Sequence, residues 1–335
     1  GESDFNEGIH ATAIANLSVF PAGRSVRGTL EVLTNGAVEL LLRETRETFD
    51  FVVVGGGAGV DAKSSELGLT RYSEVAVARA EIGPEVTHVW LLHDDVIPQP
   101  DALEALLIDG SHIGAAVVGS KLVRHGSGEL ESIGGLTDAF CHPVSVIEDG
   151  ELDQGQYDVV RDVAAVSGIS MLVRRDLFVG LRGVDPLMAP GAAAIDLCQR
   201  ARLRGGRVVV APSSQVLYVA PDKAPDWRER AGEIRAMLKV YSAITLLWAV
   251  PLSFLAGFAE SIISPFFGRW KLFGWLGAWL WNLIHLPSAI RARREARRGR
   301  QVGDEELFRY QTGGSARLRL LWDETLERLR ARFPD

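Results

Sequence analysis

The sequence predicts an α/β domain, mainly a parallel sheet sandwiched by helices, followed by C-terminal membrane-interacting helices. The first observation is a set of short apolar runs, Phe51–Val54, Val89–Leu92 and Ala115–Val118, each suited to a strand buried on both faces, with helix-period segments between them. That β-α-β order predicts parallel pairing through right-handed crossovers. The second is a carboxylate pair, Asp94 and Asp95, closing the Val89–Leu92 run. Ligands of open α/β sheets bind beyond the carboxyl ends of strands, and hard carboxylates there suit a Mg²⁺ or Mn²⁺ ion holding a diphosphate. The third is a change of composition after Trp227, where uncharged, tryptophan-rich segments begin.

Taken in order, His10 to Leu17 is a short strand candidate and Phe20 to Gly23 a turn. Val26 to Arg46 predicts a helix whose Val26, Leu30, Leu33, Val38, Leu41 and Leu42 face a core. Phe51–Val54 runs into Gly55-Gly-Gly-Ala-Gly59, which lacks the full dinucleotide spacing and reads as a strand-to-helix turn. Beyond Asp95, Pro98 and Pro100 force an extended turn before Asp101 opens an apolar-periodic helix. Ser120 to Phe140 reads as a polar, glycine-rich excursion. His125, Cys141 and His142 fall near it without a repeated ligand spacing. Glu151 to Asp162 concentrates acids and reads as a solvated loop, while Gly206 to Pro212 and Gln215 to Val219 read as separate strands.

With 335 residues, 47% hydrophobic and 24% charged, the chain is long enough for one large domain plus an appendage and is not disordered. A net charge of -7 argues against a nucleic-acid partner. Cys141 and Cys198 have no metal-like spacing, and reduced cytoplasmic thiols are the default. Gly1-Glu-Ser reads like a fragment cut from a longer chain.

A helix predicted from Arg228 to Lys239 leads into Tyr241 to Ala259, uncharged over 19 residues, interrupted by Pro251 and ended by Glu260. A second uncharged stretch runs from Leu272 to Ile290, and Trp270, Trp275, Trp279 and Trp281 mark it for a membrane-water interface. Arg291 to Arg300, with six arginines and one glutamate, then suits anionic lipid. The pattern predicts a hairpin that spans the membrane or lies in one leaflet, with a soluble helical subdomain as the alternative. The expected domains are residues 1–225, the hairpin with its polybasic flank at 226–300, and an amphipathic C-terminal helix within 301–335 that carries Leu318, Leu320, Leu321, Leu326 and Leu329.

Three segments in order resemble one family: Leu92-His-Asp-Asp-Val96 with Pro100-Asp-Ala-Leu103; Ser167 to Phe178 with Gly183-Val-Asp-Pro186; and Asp196 to Arg202 with Gly206 to Pro212. Glu151 to Asp158 with Arg161-Asp162 is similar to a run carried by one branch of it. The chain resembles family 2 glycosyltransferases of the A-type nucleotide-sugar fold over about residues 10–220, and more closely the actinobacterial membrane-associated members. The resemblance implies an inverting glycosyltransferase that uses a nucleotide-diphosphate sugar in cell-envelope polysaccharide or glycolipid assembly at the cytoplasmic face of the plasma membrane. It implies Mg²⁺ or Mn²⁺ on Asp95, and a donor site of Asp94, Asp95 and Asp61. It further implies an acceptor-side loop of Asp153, Gln154, Gln156, Asp158 and Arg161, and Asp196 as the acid left near the catalytic position. Its partners would be a glycan or lipid-linked acceptor, membrane lipids and a further membrane chain.

Three positions depart from the family pattern. Gly55 stands where relatives place a nucleoside-binding aspartate, Ala193-Ala194 where they carry an acidic pair with the general base, and Tyr218 where many place a metal-binding histidine. An alanine methyl accepts no proton, and losing a positioned base removes a factor of ~10²–10⁴ in rate. Asp196, two residues on, then reads as a helix cap. A degenerate relative acting as a membrane-docked scaffold or regulatory subunit is therefore the alternative to an enzyme, with a purely structural membrane-associated protein as a third reading.

Overall fold

The computed structural model describes residues 10–11, 18–19, 87–93, 96–219, 227–268, 270–320 and 322–323. The chain divides into two compact units, Gly1–Val54 and Gly55–Asp335. In the first, β1 (His10–Ala11) pairs antiparallel with β2 (Ser18–Val19), where the sequence suggested one strand from His10 to Leu17. The expected helix at 26–46, the strand Phe51–Val54, the glycine turn and Asp61 lie outside the described residues, as do Asp94 and Asp95.

In the second unit the elements run β3 (His88–Leu92), β4 (Val96–Pro98), α1 (Ala102–His112), β5 (Ala115–Arg124), β6 (Leu130–Ser132), β7 (Leu136–Asp138), β8 (Pro143–Val144), β9 (Arg161–Asp162), β10 (Ser170–Arg174), α2 (Arg175–Gly180), α3 (Pro190–Leu203) and β11 (Arg207–Tyr218). Then come α4 (Trp227–Val240), α5 (Ala243–Ile263), a 3₁₀ turn (Ser264–Phe267), α6 (Leu272–Ile284), α7 (Leu286–Arg297), α8 (Glu305–Phe308) and β12 (Gln311–Thr312).

The main sheet has the order β3-β10-β5-β11-β4, with β6 beside β5 and β9 beside β11. The expected mainly parallel sheet is mixed among the described residues: β5 and β11 pair in parallel, whereas β10 runs antiparallel to β3 and β5, and β4 antiparallel to β11. The excursion after β5 causes this, because it returns the chain to the sheet at β10 in the opposite direction. Alternation within the strands sorts the two faces. Val118 and Val209 pack with Leu106 of α1, while Val117, Val208 and Val210 pack with Leu197, Cys198 and Ala201 of α3.

Gly206 to Pro212 and Gln215 to Val219 prove to belong to one strand, β11, carrying a bulge where the pairing shifts between Ala211 and Gln215. The bulge turns Ser214 inward. Trp90 Nε1 donates to Ser170 Oγ at 3.1 Å, Ser170 Oγ lies 2.7 Å from Ser120 Oγ, and Ser120 Oγ lies 2.9 Å from Ser214 Oγ. This row of buried hydroxyls crosses three strands and satisfies its own polar atoms.

Pro251 does not interrupt its segment, because α5 continues through it to Ile263. The helix opens on Ser242, whose Oγ accepts from Thr245 N at 3.1 Å. The second apolar stretch, by contrast, is two helices, since α6 stops at Ile284 and Pro287 falls in the first turn of α7. Cys141 and Cys198 are free and buried, and burial pushes their thiols up to about 12 and about 11.

Candidate functional site: a cleft between strand ends and an apolar helical layer

The end of β3 is pinned by His93 N, which donates to Ile169 O at 2.8 Å. Gly168, next along the chain, opens a cleft of about 640 Å³. That volume lies within the ordinary range for small-molecule sites. One wall comes from the β6–β8 excursion, Glu131 to Leu136 and His142 to Ser145, and a second from Ala165 to Gly168 with Gly191, Ala194 and Ile195 of α3. The third carries Trp227, Glu229, Arg230 and Glu233 of α4, together with Trp270, Lys271, Gly274, Trp275 and Arg317.

The alanines of α3 have a packing cause. A Cβ on Gly232 of α4 would stand 2.5 Å from Ala192 Cβ, and one on Gly168 would stand 3.1 Å from Ala194 Cβ. Only small side chains allow those approaches. Ala193 and Ala194 both belong to the buried core, and Ala194 also borders the cleft. The helix starts at Pro190, so Asp196 lies within it and is not its cap. The N-terminal N–H groups are met instead by Glu229, which accepts from Gly191 N at 3.3 Å and Ala192 N at 2.9 Å.

Asp196 is fully buried and does not line the cleft. Its Oδ2 accepts from Arg200 Nε at 2.7 Å and Lys239 Nζ at 2.8 Å. Lys239 also reaches Asp185 at 2.9 Å, and Arg235 donates to the same carboxylate at 2.8 Å. Burial pushes Asp185 up, but Lys239 and Arg235 outweigh it and hold the carboxyl well below the usual range. The acid is a hub of the α3–α4 contact.

None of the five acceptor-loop residues lines the cleft. Asp153 and Asp158 clamp Lys121 of β5 at 2.7 and 2.8 Å. Gln156 Nε2 donates to Glu151 Oε1 and Leu152 O, and its own oxygen accepts from Gln154 N. Arg161 donates to Ile133 O at 3.2 Å. A solvated-looking acidic run is thus a self-bonded loop fixed to the sheet by one buried lysine.

The residues that do line the cleft come from the β6–β8 excursion, from the approach to β10, from α3 and from α4 and beyond, and no spacing in the sequence joins them. Glu233 accepts from both sides: Arg317 Nη2 lies 2.9 and 2.7 Å from its oxygens, and His142 Nδ1 lies 2.9 Å away. Burial pushes Glu233 up, but Arg317 and His142 together bring it below the ordinary carboxylate range. Arg230 pairs with Glu260 of α5, which Lys271 also meets at 2.8 Å. Asp138 accepts main-chain N–H groups from Phe140, His142 and Ala316, fastening the segment after β12 against this wall; burial nonetheless pushes its carboxyl up.

No group of three or more His, Cys, Asp or Glu able to hold a metal occurs among the described residues. Tyr218 pairs with Val96, the residue after Asp95 in sequence, and a phenol is a poor Mg²⁺ ligand near neutral pH.

No family model matches the chain, and no curated protein matches it. Among solved structures it is similar to a crystal structure of GalNAc-T7 with UDP, GalNAc and Mn²⁺, at 14% identity and a TM-score of 0.41, over 62% of this chain and 44% of that one. The chain thus spans less than half of that neighbour's length.

Proposed function

We propose that the chain is a membrane-docked inverting glycosyltransferase of the A-type fold, taking a nucleotide-diphosphate sugar and a glycan or lipid-linked acceptor in cell-envelope assembly. The observation that carries the reading is the cleft. It runs from the residues beside the end of β3 to Trp270, Lys271 and Trp275, which belong to the apolar helical layer. Asp94 and Asp95 would hold the donor, with Mg²⁺ or Mn²⁺ on Asp95. The metal supplies charge neutralisation of the leaving diphosphate.

The docking half of the proposal rests on α5 and α6. Residues 243–266 are long and apolar enough to cross a membrane, and few of them are buried. Yet the buried residues of α5, Thr245 and Ala249 near one end and Glu260 and Ser261 near the other, anchor both ends to one unit. That geometry supports a helix lying in the interface over one that spans.

The scaffold reading keeps one observation in its favour, Ala194 in the cleft wall. Calorimetry of common nucleotide-sugars with and without Mn²⁺ separates the two readings. The transferase reading expects metal-dependent binding that Asp95→Ala removes, whereas equal affinity of both proteins, or no binding at all, contradicts it.

A further inference from the structure

We propose that His142, oriented by Glu233, is the general base of sugar transfer, an inference that rests on the transferase reading above. His142 lines the cleft from the β6–β8 excursion. Its Nδ1 lies 2.9 Å from Glu233 Oε1, and its Nε2 has no hydrogen-bond partner among the described residues. The imidazole is 21% exposed and the carboxylate behind it 8%, so the ring is open to the cleft while its partner is shielded. A base held through one nitrogen by a carboxylate, with the other nitrogen available, is the arrangement that general-base catalysis uses.

The main chain fixes the ring's place. His142 N donates to Asp138 Oδ1 at 2.9 Å, and Asp138 N donates to His142 O at 2.8 Å. Cys141, just before it, takes a left-handed turn at φ 64°, which side-chain-bearing residues rarely adopt, and Pro143, just after it, restricts His142 to extended backbone. The proton's position follows from two competing contacts. Arg317 Nε also lies 3.3 Å from Nδ1, and one nitrogen cannot accept from Arg317 while donating to Glu233. The carboxylate contact is shorter, and Arg317 and His142 hold Glu233 below the ordinary carboxylate range and therefore charged. That places the proton on Nδ1 and the lone pair on Nε2, while Arg317 keeps both Glu233 oxygens through Nη2.

In the step assigned to it, His142 Nε2 accepts the proton of the acceptor hydroxyl as that oxygen forms its bond to the anomeric carbon. The bond from that carbon to the diphosphate oxygen breaks, and the electron pair leaves with the nucleotide diphosphate. Glu233 stabilises the imidazolium, and Nε2 then passes the proton to water. The charges that bear on the ring's protonation are Glu233 and Arg230 of α4, Arg317, Asp138 at the end of β7, and Lys271 across the cleft.

His142 would also tie the excursion to α4 without any catalytic part, so the test has to separate the two. Nucleotide release from a panel of UDP-hexoses with Mn²⁺ is measured for the full chain in detergent. His142→Asn keeps an N–H donor where Nδ1 stood and removes Nε2. It is expected to lower kcat by ~10²–10⁴ with donor KM and Tm little changed, and to remove the limb of the pH profile on which activity rises as the base loses its proton. His142→Ala should recover part of its rate with added imidazole. Without any substrate, long-range ¹H–¹⁵N NMR of the histidine-labelled chain at mildly alkaline pH, assigned with His142→Asn, should show the proton on Nδ1. A proton on Nε2, or unchanged kcat in His142→Asn, overturns the base while leaving the transferase reading intact. So does a loss that tracks a fall in Tm in both variants and that imidazole does not recover. A wild-type chain that binds and turns over no donor defeats the transferase reading, and the base with it.

Discussion

The inner and outer sides of the C-terminal helical layer have opposite polarity to that of a water-facing protein. Inside, α4 buries Arg230, Glu233, Arg235 and Lys239 against Glu260, Arg317, Asp185 and Asp196. Outside, Leu247 is 78% exposed and Phe273 77%, with Leu255, Leu280 and Leu283 beside them in α5 and α6. Charges are buried where they find partners, and apolar side chains are exposed where nothing among the described residues covers them. The proposed docking to anionic lipid would use these exposed apolar side chains together with the arginine-rich α7.

The inner side predicts the largest effect on stability. Asp196→Ala leaves Lys239 and Arg200 buried without their shared carboxylate, and removing one member of a buried ion pair costs about 3–5 kcal/mol. Calorimetry should show a clear drop in Tm. Were Asp196→Ala to keep its Tm and lose only activity, the acid would be catalytic and its hub role wrong.

On the outer side, Leu247→Ser with Phe273→Ser should leave Tm nearly unchanged. The pair should weaken vesicle binding by about two orders of magnitude, at roughly 1.5 kcal/mol or more per apolar side chain transferred. Flotation with vesicles reads this directly, and unchanged flotation would break the contrast between the two sides.

A pH scan sharpens the comparison. Asp185 and Glu233 have folded values below their unfolded ones, so their contribution is present above the unfolded carboxylate range and is lost as pH falls through the folded values. Tm should therefore fall more steeply below roughly pH 5 in the wild type than in Asp185→Asn. Parallel curves would mean that the inner ion pairs carry no such linkage.

The smallest effect divides the arginine run. Arg293 donates to Leu238 O, and Arg300 to Val240 O, closing the last carbonyls of α4. Arg291, Arg294, Arg297 and Arg298 are exposed. Changing one of the exposed four to Gln should cost about 1 kcal/mol of binding to anionic vesicles and nothing in Tm. Changing Arg293 or Arg300 should do the reverse.

Much of the frame was legible in the sequence because period and caps are local. β3, the helix opening at Asp101 and the extent of α4 follow from short apolar runs and one turn residue each. Pairing direction was less so, since it depends on where an excursion brings the chain back. Pro212 and two serines resembled a break in what is one bulged strand, and Pro251 resembled a helix stop. At the site, position 194 was readable as facing a pocket above Asp95; it borders the cleft, and Asp95 lies outside the described residues. Glu229, Glu233 and Arg317 were not, because their roles arise from contacts between helices far apart in sequence. The Glu151–Asp162 acids have a contact of the same kind: a buried lysine in β5, which only the fold brings near, engages Asp153 and Asp158.

The most direct test of a docked cleft is tryptophan quenching by lipids brominated at different acyl depths, using the full chain on anionic vesicles. Trp270 is 78% exposed at the cleft mouth and Trp248 is 39% exposed on α5. The account predicts strong quenching by bromines near the headgroup and weak quenching by those at the bilayer centre, the latter lost in Leu247→Ser with Phe273→Ser. Equal emission in brominated and ordinary vesicles would contradict it.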